Sequence, residues 1–261
     1  MSADVRIGIA GACGRMGREI AAVIGATEGA SIGAVWEHAN HDQVGCPYAL
    51  APSLTVGSGA DSSAGQVDVV IDFTAPEATV LHAQWSSQHN IPIVIGTTGL
   101  EPEHHQCLDT AAEQVPMVQA PNMSVGVNVL CKLVADATRM LANDFDIEIV
   151  ESHHRHKVDA PSGTAMRLLE EVQTAQQGLE PVFERHGSIG ARGNNDVGMQ
   201  TLRGGDVVGE HTVFYFGTGE RIELTHRATD RSIFARGAVR AALWLVSRPA
   251  GRYTMADVLA G

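Results

Sequence analysis

Between Glu151 and Ala165 the chain reads ESHHRHKVDAPSGTA, and five consecutive residues, His153, His154, Arg155, His156 and Lys157, can carry positive charge. Histidine titrates near neutrality, so it can donate a proton in one step and recover it in the next. Lysine adds a compact cation that can hold a carboxylate or assist proton transfer. Ser162 is a good N-cap. A helix predicted from Ser162 to about Gln176 would open with backbone N–H groups not used within the helix, at a start that suits an anion. The segment therefore combines proton donors, fixed cations and backbone donors. That is chemistry for binding a small polyanion and protonating it. The formal net charge of −12 makes so local a basic run more informative, because the background potential repels anions.

A histidine-rich tract can also hold a metal ion. Here Arg155 and Lys157 would repel it, and no acidic or cysteine ligand stands ready to complete the set, so no metal is expected. The chain has no G-x-S-x-G nucleophile elbow, which speaks against a Ser-His-Asp hydrolase.

The second chemical stretch lies near the N-terminus. Val5–Ala10 (VRIGIA) is an apolar run of the length of a buried parallel strand, and it leads into Gly11-Ala12-Cys13-Gly14-Arg15-Met16-Gly17 and then a helical pattern. Strand, glycine turn and helix make the context of a dinucleotide-binding site, with the pyrophosphate at the helix start and Arg15 as an added phosphate contact. The next strand, 31–36, ends in Glu37, 20 residues after Gly17. A carboxylate there is placed to accept from the adenosine ribose hydroxyls. Further strands over 67–72 and 91–95 lead to the turns DFTAPE (72–77) and GTTG (96–99). Ligands of open parallel sheets sit beyond the carboxyl ends of the strands, so Gly96, Thr97 and Thr98 are expected near the cofactor.

Short buried strands alternate with helices as far as the strand 116–119, whose end is Ala120-Pro121-Asn122-Met123. That alternation predicts a Rossmann-type doubly wound parallel sheet over residues 1–123. Beyond a long helix at about 124–141 the period changes. Phe145, Ile147 and Ile149 alternate with Asp146 and Glu148, as in a strand with one wet face. The basic run follows directly. A glycine-rich loop (187–195) and strands near 197–203, 207–216 and 220–227 complete a second, α+β domain with a mixed sheet, expected over 124–230. A final apolar helix within 231–261 is expected to return to the first domain.

With 261 residues, 44% of them hydrophobic and 18% charged, the chain is of ordinary globular composition. Its acidity argues against nucleic-acid and membrane-surface partners. No apolar run reaches the roughly 18 residues of a membrane span, and nothing resembles an export signal. Cys13, Cys46, Cys107 and Cys131 are scattered, which predicts free thiols and a cytoplasmic location.

GACGRMG (11–17), DFTAPE (72–77), GTTG (96–99), NMSVGVNVL (122–130), ESHHRHKVDAPSGTA (151–165) and RGGDVVGEH (203–211) together resemble the 4-hydroxy-tetrahydrodipicolinate (dihydrodipicolinate) reductases, over nearly the whole chain. The resemblance implies NADH- or NADPH-dependent reduction of a cyclic imine dicarboxylate in lysine and diaminopimelate biosynthesis. By the same resemblance, Gly11 to Met16 would hold the pyrophosphate and Glu37 the ribose. Gly96 to Thr98 and Ala120, Pro121, Asn122 and Met123 would line the nicotinamide side. His153 would be the proton donor, Lys157 the second catalytic residue, and His154, Gly163 and Thr164 substrate-binding. A homotetramer built through the second domain's sheet is also implied. His38 stands where members of the family commonly carry an arginine for the 2′-phosphate of NADPH, so NADH is expected to serve at least as well. Pro121 and Met123 also depart from commoner residues. Two rivals share the cofactor half: a dehydrogenase of another small amino acid such as aspartate, and a non-catalytic nucleotide sensor. Neither requires the 151–165 segment.

Overall fold

The structure is a computed structural model and describes residues 4–261. Along the chain, β1 (Val5–Ala10) leads to α1 (Arg15–Gly25), then β2 (Ala30–Trp36), a short hairpin of β3 (Pro47–Tyr48) and β4 (Ala51–Thr55), and β5 (Val69–Asp72). Next come α2 (Pro76–His89), β6 (Ile93–Ile95), α3 (Pro102–Ala112) and β7 (Pro116–Gln119). The long α4 (Val125–Leu141) leads to β8 (Asp146–His153), α5 (Gly163–Ala175), β9 (Glu180–Val182), β10 (Asp196–Arg203), β11 (Gly209–Gly217) and β12 (Glu220–Ala228). Last are α6 (Ser232–Leu245), β13 (Gly251–Tyr253) and α7 (Met255–Ala260). The chain forms two compact units, one comprising the residues up to Val125 with Ser232–Gly261, the other Gly126–Arg231.

The first unit is built on a six-stranded sheet of order β13-β7-β6-β5-β1-β2, parallel throughout. Its inner strands read as near-continuous apolar runs because helices cover both faces. Ile7, Ile9, Val69, Val70, Ile71, Ile93, Val94 and Ile95 all have no exposed surface. Burying one such side chain contributes about 1.5–3 kcal/mol. The chain goes from β1 to β2 on one side and resumes at β5 on the other, so the order reverses between β1 and β5. That reversal places the turns after β1 and β5 side by side, where doubly wound sheets take their ligands. α6 packs its small face into this unit, with Ala235, Ala238, Ala241, Ala242 and Leu245 fully buried.

The second unit has a mixed five-stranded sheet of order β12-β11-β8-β10-β9. β8 is antiparallel to β11 and parallel to β10. β11 and β12 form a regular antiparallel hairpin with Gly217 opposite Glu220. α4 and α5 cover one face through Val127, Leu130, Val134, Leu168, Leu169 and Val172. Along β8 the buried positions alternate strictly, Ile147, Ile149, Glu151, His153. The two polar members of that row sit on the inner face at the strand's carboxyl end. No described helix is long and apolar enough to cross a membrane.

Candidate active site

In the first unit the glycines of the N-terminal turn serve separate ends. Gly11 has φ +69°, a left-handed conformation that glycine adopts without strain. A Cβ on Gly17 would lie 2.2 Å from the Gly11 carbonyl oxygen, so Gly17 lets α1 pack directly against the turn. α1 begins with no side-chain cap at Gly14 and no acidic residue in its first turn. Its first N–H groups have no intrahelical partner. An uncapped helix start without a carboxylate is a fit for a pyrophosphate, and Arg15 is exposed beside it.

Glu37, 9% exposed, accepts from the Cys13 N–H at 2.7 Å. The carboxylate is thus anchored to the glycine turn, which fixes its orientation at the end of β2. His38 follows it as an exposed side chain. Burial and the neighbouring Glu37 carboxylate push the Cys13 thiol up.

A cavity of about 310 Å³ opens beyond the strand ends of the same unit, lined by Met16, Phe73, Thr74, Gly96, Thr97, Thr98, Pro121, Asn122, Met123 and Phe234. It gathers seven of the residues expected at the cofactor. Their parts differ. Gly96 is pressed under the Phe73 ring, where a Cβ would come within 2.2 Å. The Thr97 hydroxyl is committed internally, accepting from Thr74 N at 3.1 Å and from Thr79 Oγ1 at 2.8 Å. Asn122 Oδ1 accepts from Ser124 N at 2.9 Å, which shapes the turn before α4. Ala120 and Met123 are buried, whereas Pro121 and Thr98 are exposed. Beneath them, fully buried Asp72 accepts from Thr74 N and Oγ1 at 2.9 and 2.6 Å and pairs with His82 Nδ1 at 3.1 Å. Asp72 therefore holds the turn after β5 from below.

In the second unit, His153 closes β8 with Nδ1 2.6 Å from Glu151 Oε2. Glu151 is the hub of the site. It has no exposed surface, and it also takes Arg203 in a two-pronged pair at 2.7 Å from each terminal nitrogen, the Ser162 N–H at 3.0 Å and Thr201 Oγ1 at 3.3 Å. Burial works to raise its carboxyl, but Arg203, His153 and Ser162 together hold it below the usual range. Donation from Nδ1 to Glu151 leaves Nε2 as the working nitrogen of His153. A Cβ on Gly209 would lie 3.0 Å from that Nε2, so a glycine keeps the approach open. For His153 two influences disagree: burial lowers its proton affinity and the Glu151 carboxylate raises it. Burial prevails, aided by Lys157 and Arg203, and the imidazole titrates below its ordinary value.

The same hub sets the helix start. Ser162 caps α5, accepting from Ala165 N at 3.2 Å, while its hydroxyl meets His211 Nε2 at 3.0 Å. His211 stacks edge-on to His153 at 5.1 Å, and burial above all, with His153 next, lowers its pKa to about 4. It is a neutral spacer. Gly163 is exposed at the first helical position. Lys157 Nζ pairs with Asp159 at 2.7 Å. His154 carries a buried Nδ1 without a partner in the described residues and meets Arg231 through Nε2 at 3.4 Å. Arg155 and His156 point to solvent. Sequence reasoning gave Glu151, Arg203 and His211 no role. A signal existed for Glu151, since the alternation of β8 carries it to the buried face.

The family model described as "Dihydrodipicolinate reductase, N-terminus" matches residues 5–123, and the one described as "Dihydrodipicolinate reductase, C-terminus" matches 126–259. The chain belongs to the dihydrodipicolinate reductase family. It is 49% identical to the 4-hydroxy-tetrahydrodipicolinate reductase of Anaeromyxobacter dehalogenans (strain 2CP-1 / ATCC BAA-258), with 97% of each chain covered. Against that of Magnetococcus marinus the identity is 44%, covering 98% of each. Among solved structures, the dipicolinate-bound dihydrodipicolinate reductase from Paenisporosarcina sp. TG-14 superposes with a TM-score of 0.77 at 25% identity, over 96% of this chain and 97% of that one. The two matches together take in both units of the chain.

Proposed function

We propose that this family member is an NAD(P)H-dependent 4-hydroxy-tetrahydrodipicolinate reductase in which His153 is the proton donor. The observation that carries the reading is His153 held through Nδ1 by the buried Glu151, 2.6 Å away, at the head of the cationic segment. The dinucleotide, when bound, supplies a hydride to the substrate's conjugated imine. The negative charge left on the substrate is then protonated from Nε2 of His153. In the free protein this imidazole has a lowered proton affinity. A dicarboxylate beside it supplies negative potential, which raises that affinity when the acid is needed.

Lys157 meets one substrate carboxylate, exchanging its surface partner Asp159 for it. Gly163 and Thr164 present the α5 start to the other, and His154 offers its unpartnered Nδ1. In the first unit, Gly11 to Met16 receive the pyrophosphate, Glu37 the ribose, and Gly96 to Thr98 with Ala120 to Met123 the nicotinamide side. Thr97 acts there through its backbone, because its hydroxyl is used within the protein. NADH serves at least as well as NADPH: Glu37 repels a 2′-phosphate, and His38 offers no permanent charge to offset it. A homotetramer formed through the second unit's sheet agrees with the exposed apolar side chains Leu202, Phe216 and Ile222 on it. Four unpaired cysteines agree with a reducing cytoplasm.

Following NADH and NADPH oxidation with freshly generated dihydrodipicolinate tests the reaction, and comparing kcat/KM for the two cofactors tests the preference. Oxidation driven instead by oxaloacetate and ammonia would favour the aspartate dehydrogenase alternative. A strong NADPH preference would refute the argument from His38.

A further inference from the structure

We propose that Cys13, Glu37 and His41 form a binding site for Zn2+, and that the ion and the dinucleotide exclude each other there. The second half rests on the reading of Glu37 as the ribose-binding carboxylate. The three side chains come from the glycine turn, the end of β2 and the loop that follows it, all within the first unit. The Cys13 Sγ, one Glu37 carboxylate oxygen and one His41 ring nitrogen lie within 4.8 Å of one another. A tetrahedral zinc with bonds of about 2.0–2.3 Å sets its ligand atoms roughly 3.5 Å apart. Side-chain rotations of about an ångström therefore close the set around an ion.

Glu37 is already oriented toward the turn by the Cys13 N–H at 2.7 Å. It is nearly buried, and Cys13 and His41 are half-buried, so the ligands are held rather than splayed into solvent. A thiolate with a carboxylate neutralises a dication, and a thiol among the ligands selects Zn2+ over Mg2+ or Ca2+. The thiol proton leaves to solvent as the Zn–S bond forms. Two features oppose binding and set its strength. Arg18 lies close enough to act on Cys13, and His41 Nδ1 accepts from Gln43 N at 3.2 Å, a bond lost when the ring proton moves to that nitrogen. Cys13 also lines a cavity of about 390 Å³ with Arg18, Glu19 and Tyr48. That cavity gives access to the cysteine, and three protein ligands leave the fourth position of a tetrahedral ion to a water, the composition of an open zinc site.

With Glu37 bound to the ion, its oxygens no longer face the ribose hydroxyls, and a cation occupies the space beside the turn. Zinc would thus act as a competitive inhibitor at the cofactor end. Metal-free protein titrated with Co2+ is expected to develop a thiolate-to-cobalt charge-transfer band at one ion per chain. Zn2+ should displace it and NADH should diminish it. Cys13→Ala and His41→Ala are each expected to weaken Zn2+ binding by roughly tenfold or more, while Cys107→Ala leaves it unchanged. Zn2+ should raise the apparent Kd for NADH, read by fluorescence, in the parent protein and not in His41→Ala. Ion binding that survives both substitutions would overturn the site, and binding indifferent to NADH would overturn the exclusion. A cobalt band in protein that binds no NADH even when metal-free would overturn the cofactor reading and the exclusion together, leaving the ligand set standing.

Discussion

Glu151→Gln is the perturbation that most directly probes how the proposed proton donor, His153, is made. The carboxylate is wholly buried and accepts from His153, Ser162, Thr201 and both terminal nitrogens of Arg203. A glutamine of the same shape keeps one acceptor oxygen but turns the other position into a donor that faces Arg203 in either orientation, together with His153 Nδ1 in one and with Ser162 N and Thr201 Oγ1 in the other. At least one charged hydrogen bond is lost, at about 1.5–3 kcal/mol. The Arg203 side chain, 20% exposed, is left without its anion. Breaking a buried pair from one side costs about 3–5 kcal/mol, and partial access to water argues for the lower end. A stability loss of about 2–4 kcal/mol follows, measurable by urea unfolding. The kinetic effect has a definite sign. A carboxylate within hydrogen-bond reach favours the charged imidazole and raises a histidine pKa. Its removal therefore moves His153 further down, and the pH above which kcat/KM falls should shift to lower pH, while the Kd for NADH holds. A variant whose pH profile overlays the parent's would refute the claim that Glu151 sets the donor, whatever its stability.

Lys157→Ala should reduce turnover by orders of magnitude and leave NADH binding largely intact, since losing a charge-assisted substrate contact typically costs about 2–4 kcal/mol; an equal fall in NADH binding would move Lys157 out of the substrate site. Gly209→Ala places a methyl 3.0 Å from His153 Nε2 and should lower kcat with little change in the KM for NADH, as steady-state kinetics will show. His211, with its pKa lowered to about 4, binds protons in the unfolded chain before it does in the folded one. Stability should therefore be complete above about pH 6.5 and decline between there and pH 4, by up to about 3 kcal/mol. Urea unfolding at pH 7.5 and 5 should show the decline, and His211→Gln should flatten it.

The parallel sheet was legible because β1, β2, β5, β6 and β7 are short, mainly apolar runs closed by turn motifs. The hairpin of β11 and β12 was legible from Gly217 and Gly219. Other parts left no trace in local pattern. β13 is Gly-Arg-Tyr, half-buried and three residues long, and it becomes a strand only by lying beside β7. β9 contains Pro181 and is equally short. The histidines of the site were visible as a cluster, but what makes His153 different from His154 and His156 was not. That difference is Glu151, two residues earlier on the same face of β8, and Arg203, brought beside it by the pairing of β8 with β10. Such a partner is a product of topology, and no spacing along the chain announces it.

The dinucleotide unit also imposes an order on synthesis. Its sheet ends with β13, and its small-residue core helix is α6, both within residues 232–261. When the whole of the second unit has emerged from the ribosome, β7 still lacks its outer neighbour, and the surface that Ala235, Ala238 and Leu245 will cover is still open. A nascent chain must hold that apolar surface clear of other chains until its final segment docks. Stalled or clipped products would be expected to aggregate through the first unit, even with the histidine-bearing unit fully folded.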